Sequence, residues 1–185
     1  LHQSSPIGLQ LDSLADMVSS GVAPTAVMLT LAWQAGSSWW AADTGGPWSW
    51  IVLLLAVGTA LRLAKFNIDE TQHTEFCGLP TPANALFFVA LGWMDAKTGF
   101  NQGGWVLLMV PAMSWLLISP VRMFAFKFQS FAFKGNEIRY IFIALAVVLL
   151  VALGIPAVPI VILLYIAISA VGWGMSLKKP GSAAC

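Results

Sequence analysis

Apolar residues run in long blocks along this chain, and short polar stretches separate them. Six blocks stand out, at residues 11–33, 48–67, 81–96, 104–124, 138–153 and 156–175. A hydrocarbon layer about 30 Å thick, crossed at about 1.5 Å per residue, takes about 20 mostly apolar residues per helix. The first, second, fourth and last blocks meet that length. The third and fifth are shorter and lean on flanking residues or a smaller tilt. Residues 36–47 and 97–103 are connectors rich in Gly and Ser, and Gly154, Ile155 and Pro156 make a tight turn between the last two blocks. The pattern predicts an all-α fold, a polytopic transmembrane helix bundle with six spans. Residues 1–177 form one membrane domain, and 178–185 form a cytoplasmic tail.

Composition sharpens this reading. Of the 185 residues, 58% are hydrophobic and 9% charged, against roughly 25% charged in a soluble domain. Lipid is therefore the main solvent. A net charge of +1 without a basic cluster cannot displace the counterions around nucleic-acid phosphates, so no nucleic acid is expected as a partner. Cys77 and Cys185 are too few for a disulfide framework and lie in no metal-ligand spacing. Leu1 follows no initiator methionine and no signal peptide is visible, so the chain reads as starting within a longer protein.

Alternate connectors must lie on opposite sides of the membrane, with Lys and Arg concentrated on the cytoplasmic side. Under the six-span parse, eight of the nine basic residues share one face: Arg62, Lys65, Arg122, Lys127, Lys134, Arg139, Lys178 and Lys179. Lys97 alone lies opposite. Both chain ends are thus expected in the cytoplasm, as for a protein of the cell (inner) membrane. Trp39, Trp40, Trp48 and Trp50 cluster at the other boundary, where indoles prefer to sit.

Two acids near the start of the first span carry the chemistry. At a spacing of four, Asp12 and Asp16 share one helix face with Cβ atoms about 6 Å apart, and their charges repel unless a cation lies between them. Gly8, one turn earlier, leaves room for a bulky ligand to approach. The plain alternative is a pair of solvated carboxylates favoured by the helix dipole.

These residues also carry a resemblance. Residues 8–16, GLQLDSLAD, resemble the second half of the CDP-alcohol phosphatidyltransferase signature, DG-x2-AR-x8-G-x3-D-x3-D. Counting back from Gly8 places the signature's AR pair ahead of Leu1, one residue removed from it. Further stretches resemble the phosphatidylserine-forming branch of that family: LDSLADMVSSGVAP at 11–24, RLAKFN at 62–67, FCGLPTPA at 76–83 and SPVR at 119–122. Ser20 and Lys65 depart from its usual phenylalanine and arginine. The resemblance implies two spans ahead of Leu1, about eight in all. It also implies that this piece alone, with two of four metal carboxylates, is inactive.

The activity implied is transfer of a phosphatidyl group from CDP-diacylglycerol to the hydroxyl of L-serine, releasing CMP. Carried over from the family, Asp12 would be a metal ligand, and Asp16 a metal neighbour and the general base. Gly8 would give the cytidine room. The cofactor would be a divalent cation, Mg2+ or Mn2+, as suits all-oxygen ligands. Partners would be the two substrates, the lipid bilayer and a second copy in a homodimer. Arg62, Lys65 and Arg122 are candidates for the lipid phosphate or the serine carboxylate, or else ordinary positive-inside anchors. Asn67 either orients a substrate or ends its helix. His73 has no partner placed by sequence, and Asp43, Asp69, Glu70, Glu75, Asp95 and Lys97 read as surface charges. The Met- and Phe-rich residues 123–133 read as interfacial packing.

Two other readings stay open. One is a relative using another alcohol: inositol, glycerol phosphate or an archaeal lipid analogue. The other is a small transporter with Asp12 and Asp16 on an ion path, although the middles of the later spans are free of charge.

Overall fold

The computed structural model describes residues 6–34, 47–68, 76–99, 108–123 and 137–176. Within them, six helical rods stand where the six apolar blocks place them. The first rod comprises α1 (Pro6–Asp16), a π-helical turn (Met17–Val22) and α2 (Ala23–Gln34). The second opens with a 3-10 turn (Pro47–Val52) and continues as α3 (Leu53–Ile68). Then come α4 (Thr81–Thr98), α5 (Met109–Ile118), α6 (Glu137–Leu153) and α7 (Ala157–Ser176). Two-residue strands β1 (Phe76–Cys77) and β2 (Arg122–Met123) follow α3 and α5.

Among the described residues, three stretches are long and apolar enough to cross a membrane: Gln10–Trp33, Trp50–Asn67 and Ala157–Gly174. Met109–Ile118 and Arg139–Leu153 are shorter apolar helices. The chain is an all-α membrane helix bundle, with one small β ladder among the described residues.

Chain reversals follow local chemistry. Gly99 ends α4 in the left-handed region at φ 60°, and its N–H closes on the Asp95 carbonyl at 2.7 Å. Gly154 does the same at φ 67° with Leu150, before Pro156 leads into α7. The fourth span departs from expectation. Its block reaches Phe124, but α5 stops at Ile118. Pro120 lacks an N–H and disfavours the helical region for Ser119, which is extended at ψ 151°. The backbone freed there pairs with β1 in antiparallel register, Phe76 opposite Met123 and Cys77 opposite Arg122.

The bundle interior holds Met28, Leu55, Phe87, Phe88, Val110 and Leu117. The rings of Phe87 and Phe88 meet edge to face with centroids 5.2 Å apart. Large apolar side chains also cover the outside, with Val151 82% and Trp115 62% exposed. In water that would be a liability. In lipid it costs nothing, and helix association rests instead on close packing at small residues. Gly21 lies against Thr59, and Gly58 against Ser114.

Trp39, Trp40, Asp43, residues 69–75 with His73, the stretch 124–136 with Lys127 and Lys134, and the tail with Lys178, Lys179 and Cys185 lie outside the described residues. Trp50 is exposed at the entry to the second rod.

Candidate functional site

Asp12 and Asp16 belong to one uninterrupted stretch of α-helix, so the spacing of four does place them one turn apart on a shared face. Asp12 is exposed and Asp16 half-buried. Gly8 lies one turn before Asp12 on the same helix and is exposed. Immediately after Asp16 the helix widens into the π turn. Such turns loosen the regular ladder, and hydroxyl side chains attach to the carbonyls around this one: Ser19 Oγ donates to Ala15 O at 2.9 Å, and Thr25 Oγ1 to Gly21 O at 2.7 Å.

The acid-bearing rod runs against α3. A Cβ on Gly21 would stand 3.2 Å from Thr59 Cβ, a closeness that needs a glycine. Eight residues toward the chain start, Asn67 Nδ2 donates to Ser13 Oγ at 3.0 Å, and that hydroxyl is 3.3 Å from Asn67 Oδ1. Ser13, unremarked in the sequence beyond its place in the motif, is therefore part of the site. Its position between the acids was the available signal.

Arg62 lies on the opposite side of α3's last turns. Its Nη1 donates to the Leu117 carbonyl at 3.1 Å, at the end of α5, where backbone carbonyls lack helical partners. The loop after β1 serves the same helix end: Leu79 N–H donates to Leu116 O at 3.0 Å, and Gly78 N–H to Val121 O at 2.9 Å. Gly78, at φ 77°, has no room for a Cβ beside Leu117 O and the Arg62 guanidinium. Tyr165 of α7 lies near enough to Arg62 for an electrostatic interaction and hydrogen-bonds Ser169. Tyr165 went unnoticed in the sequence, although a hydroxyl facing inward from an apolar span was a usable signal.

Lys65 is exposed one turn beyond Arg62. Arg122 is placed by its backbone in the ladder next to Gly78. The structure thus makes two contacts at one end of α3: Asn67 with Ser13, which shares α1 with Asp12 and Asp16, and Arg62 with the Leu117 carbonyl beside Gly78.

Among the described residues, no group of three or more His, Cys, Asp or Glu side chains could hold a metal ion. A hard divalent cation is commonly bound through one or two carboxylates plus water and substrate phosphate. Asp12 and Asp16 offer such a partial, all-oxygen edge.

Comparison with known proteins bears on what this arrangement does. Residues 1–118 match the profile of the CDP-alcohol phosphatidyltransferase family. A CDP-diacylglycerol--serine O-phosphatidyltransferase of Mycobacterium tuberculosis is 37% identical over 136 residues, covering 66% of this chain and 43% of that protein. The Helicobacter pylori protein of that name is 28% identical over 153 residues, covering 80% of this chain and 61% of its own length. One from Bacillus subtilis is 29% identical over 131 residues, 69% of this chain and 64% of the relative. The chain therefore spans less than two thirds of each of these relatives. No solved structure matches it.

Proposed function

Because the chain belongs to the CDP-alcohol phosphatidyltransferase family, we propose that its parent protein transfers the phosphatidyl group of CDP-diacylglycerol to L-serine, yielding phosphatidylserine and CMP. The observation that carries this is the acid pair one turn apart on α1, at the polar entry of a membrane span. The named relatives, each a CDP-diacylglycerol--serine O-phosphatidyltransferase, support serine as the acceptor.

In this reading the serine hydroxyl oxygen attacks the phosphorus bearing the diacylglycerol. A new P–O bond forms, the P–O bond to CMP breaks, and the hydroxyl proton passes to the Asp16 carboxylate as general base. Asp12 and Asp16 would hold Mg2+ or Mn2+, which neutralises diphosphate charge when bound. Gly8 leaves space for the nucleotide. Lys65 and Arg122 supply positive charge at the same membrane face for the lipid phosphate or the serine carboxylate, and Arg62 completes the candidate set. Arg62 gives one N–H to Leu117 O, which holds its guanidinium at the end of α5.

The acyl chains remain in the bilayer while the head group reaches water. With Arg62, Lys65, Arg122 and Arg139 on the same side under the positive-inside rule, that face is cytoplasmic, in the inner membrane. The enzyme works as a homodimer.

The test is CMP release by the full-length protein in detergent, with serine, inositol and glycerol phosphate compared as acceptors. Serine-dependent release, lost on Asp16→Asn, is the expected result. A preference for another alcohol would replace serine in this proposal. No release with any CDP-lipid would favour an ion path instead.

A further inference from the structure

We infer that Asn67 is a positioning residue, whose side-chain amide grips the Ser13 hydroxyl and so sets the rotation of the helix that presents Asp12 and Asp16. This rests on the phosphatidyl-transfer reading of those acids and adds to it a residue that acts through another.

The first rod has a weak point in an awkward place. Between the firmly packed α2, with Met28, Leu31 and Ala32 buried, and the acid-bearing α1 lies the π turn Met17–Val22. A wide turn transmits helix orientation less rigidly than an α-helical ladder, because its bonds are longer-ranged and less regular. Within this chain α1 finds little packing to compensate: Ile7, Leu11 and Leu14 are 72%, 59% and 62% exposed.

Against α3 the rod is held at two places that flank Asp16. One is the close approach of Gly21 to Thr59. The other is Ser13 to Asn67. They are eight residues apart on both helices, so they belong to a single antiparallel register, and the Ser13 contact closes it on α1's side of the π turn.

At 3.6 residues per turn, the Ser13 side chain lies about 60° around the helix from Asp16 and about 100° from Asp12. A hydrogen bond there turns the acid face as a handle would. Asn67 is exposed and Ser13 half-buried, so the bond adds a modest, measurable amount to stability, and its main value lies in orientation.

The experiment is a double-mutant cycle in the full-length protein. Ser13→Ala and Asn67→Ala should each lower kcat about tenfold, with both substrate KM values moving less than about twofold. The double variant should be no slower than either single, and Ser13→Thr, which keeps the hydroxyl, should retain turnover. A silent Ser13→Ala, additive losses, or an Asn67→Ala defect confined to KM would overturn the inference, since an amide that contacts substrate behaves that way. A parallel cycle on thermal unfolding without substrate reads the contact independently of activity. Non-additive Tm shifts are expected, and strictly additive ones count against it. Absence of CMP release by the wild-type protein would instead sink the phosphatidyl-transfer reading.

Discussion

Arg62 donates from Nη1 to the carbonyl oxygen of Leu117 at 3.1 Å, and so joins the last turns of α3 to the end of α5. The link satisfies a helix-terminal carbonyl inside a membrane protein, where water cannot do so cheaply. Losing it should be felt in folding as well as in turnover. Arg62→Met is expected to cost about 2 kcal/mol, the range for a hydrogen bond to a charged donor. Thermal unfolding of the full-length protein in detergent checks this, and an unchanged Tm would show that the contact carries no stability.

Gly78 should be the least replaceable glycine of the described turns. Alanine there meets Leu117 O and the Arg62 guanidinium in addition to the strain of φ 77°. Alanine at Gly154 meets open space and carries the strain alone, about 1–2 kcal/mol. Gly78→Ala should therefore lower Tm clearly more than Gly154→Ala, and equal shifts would contradict the packing described at the α5 end.

The two acids should separate kinetically. Asp16→Asn removes both the proposed ligand and the proposed base, and CMP release should fall by about 10²-fold or more. Asp12→Asn leaves the base in place, so part of its loss should be recovered at higher Mg2+ or Mn2+. A metal titration of both variants decides between these outcomes; identical metal curves for Asp12→Asn and wild type would remove Asp12 from the ligand set.

Helix contact in the bundle depends on missing side chains, and Gly92 shows where. A Cβ there collides with Val27 Cγ1 of α2, whereas one on Gly172 meets nothing within 4 Å. Gly92→Ala is expected to destabilise by about 1–3 kcal/mol through overpacking, and Gly172→Ala to be neutral or slightly stabilising. Comparative Tm measurements suffice.

Much of this was legible along the chain. Six helical rods follow from six apolar blocks, because in a bilayer the backbone must satisfy its own hydrogen bonds and helices are the open-chain way to do so. The acid pair was legible for a similar reason, since a spacing of four on a helix fixes a shared face whatever surrounds it. The end of α5 was also readable at Pro120, although hydropathy carried the apolar block on to Phe124.

The tertiary structure alone decided which groups these elements bring into contact. Ser13 and Asn67 are 54 positions apart, and Arg62 and Leu117 are 55. Nothing in local periodicity pairs them, because the rotation and depth of one membrane helix against another are set by where small residues such as Gly21 and Gly58 let backbones approach. The residue types and their faces were set by the chain itself. Their partners were set by packing, a property of the whole bundle and of no single segment.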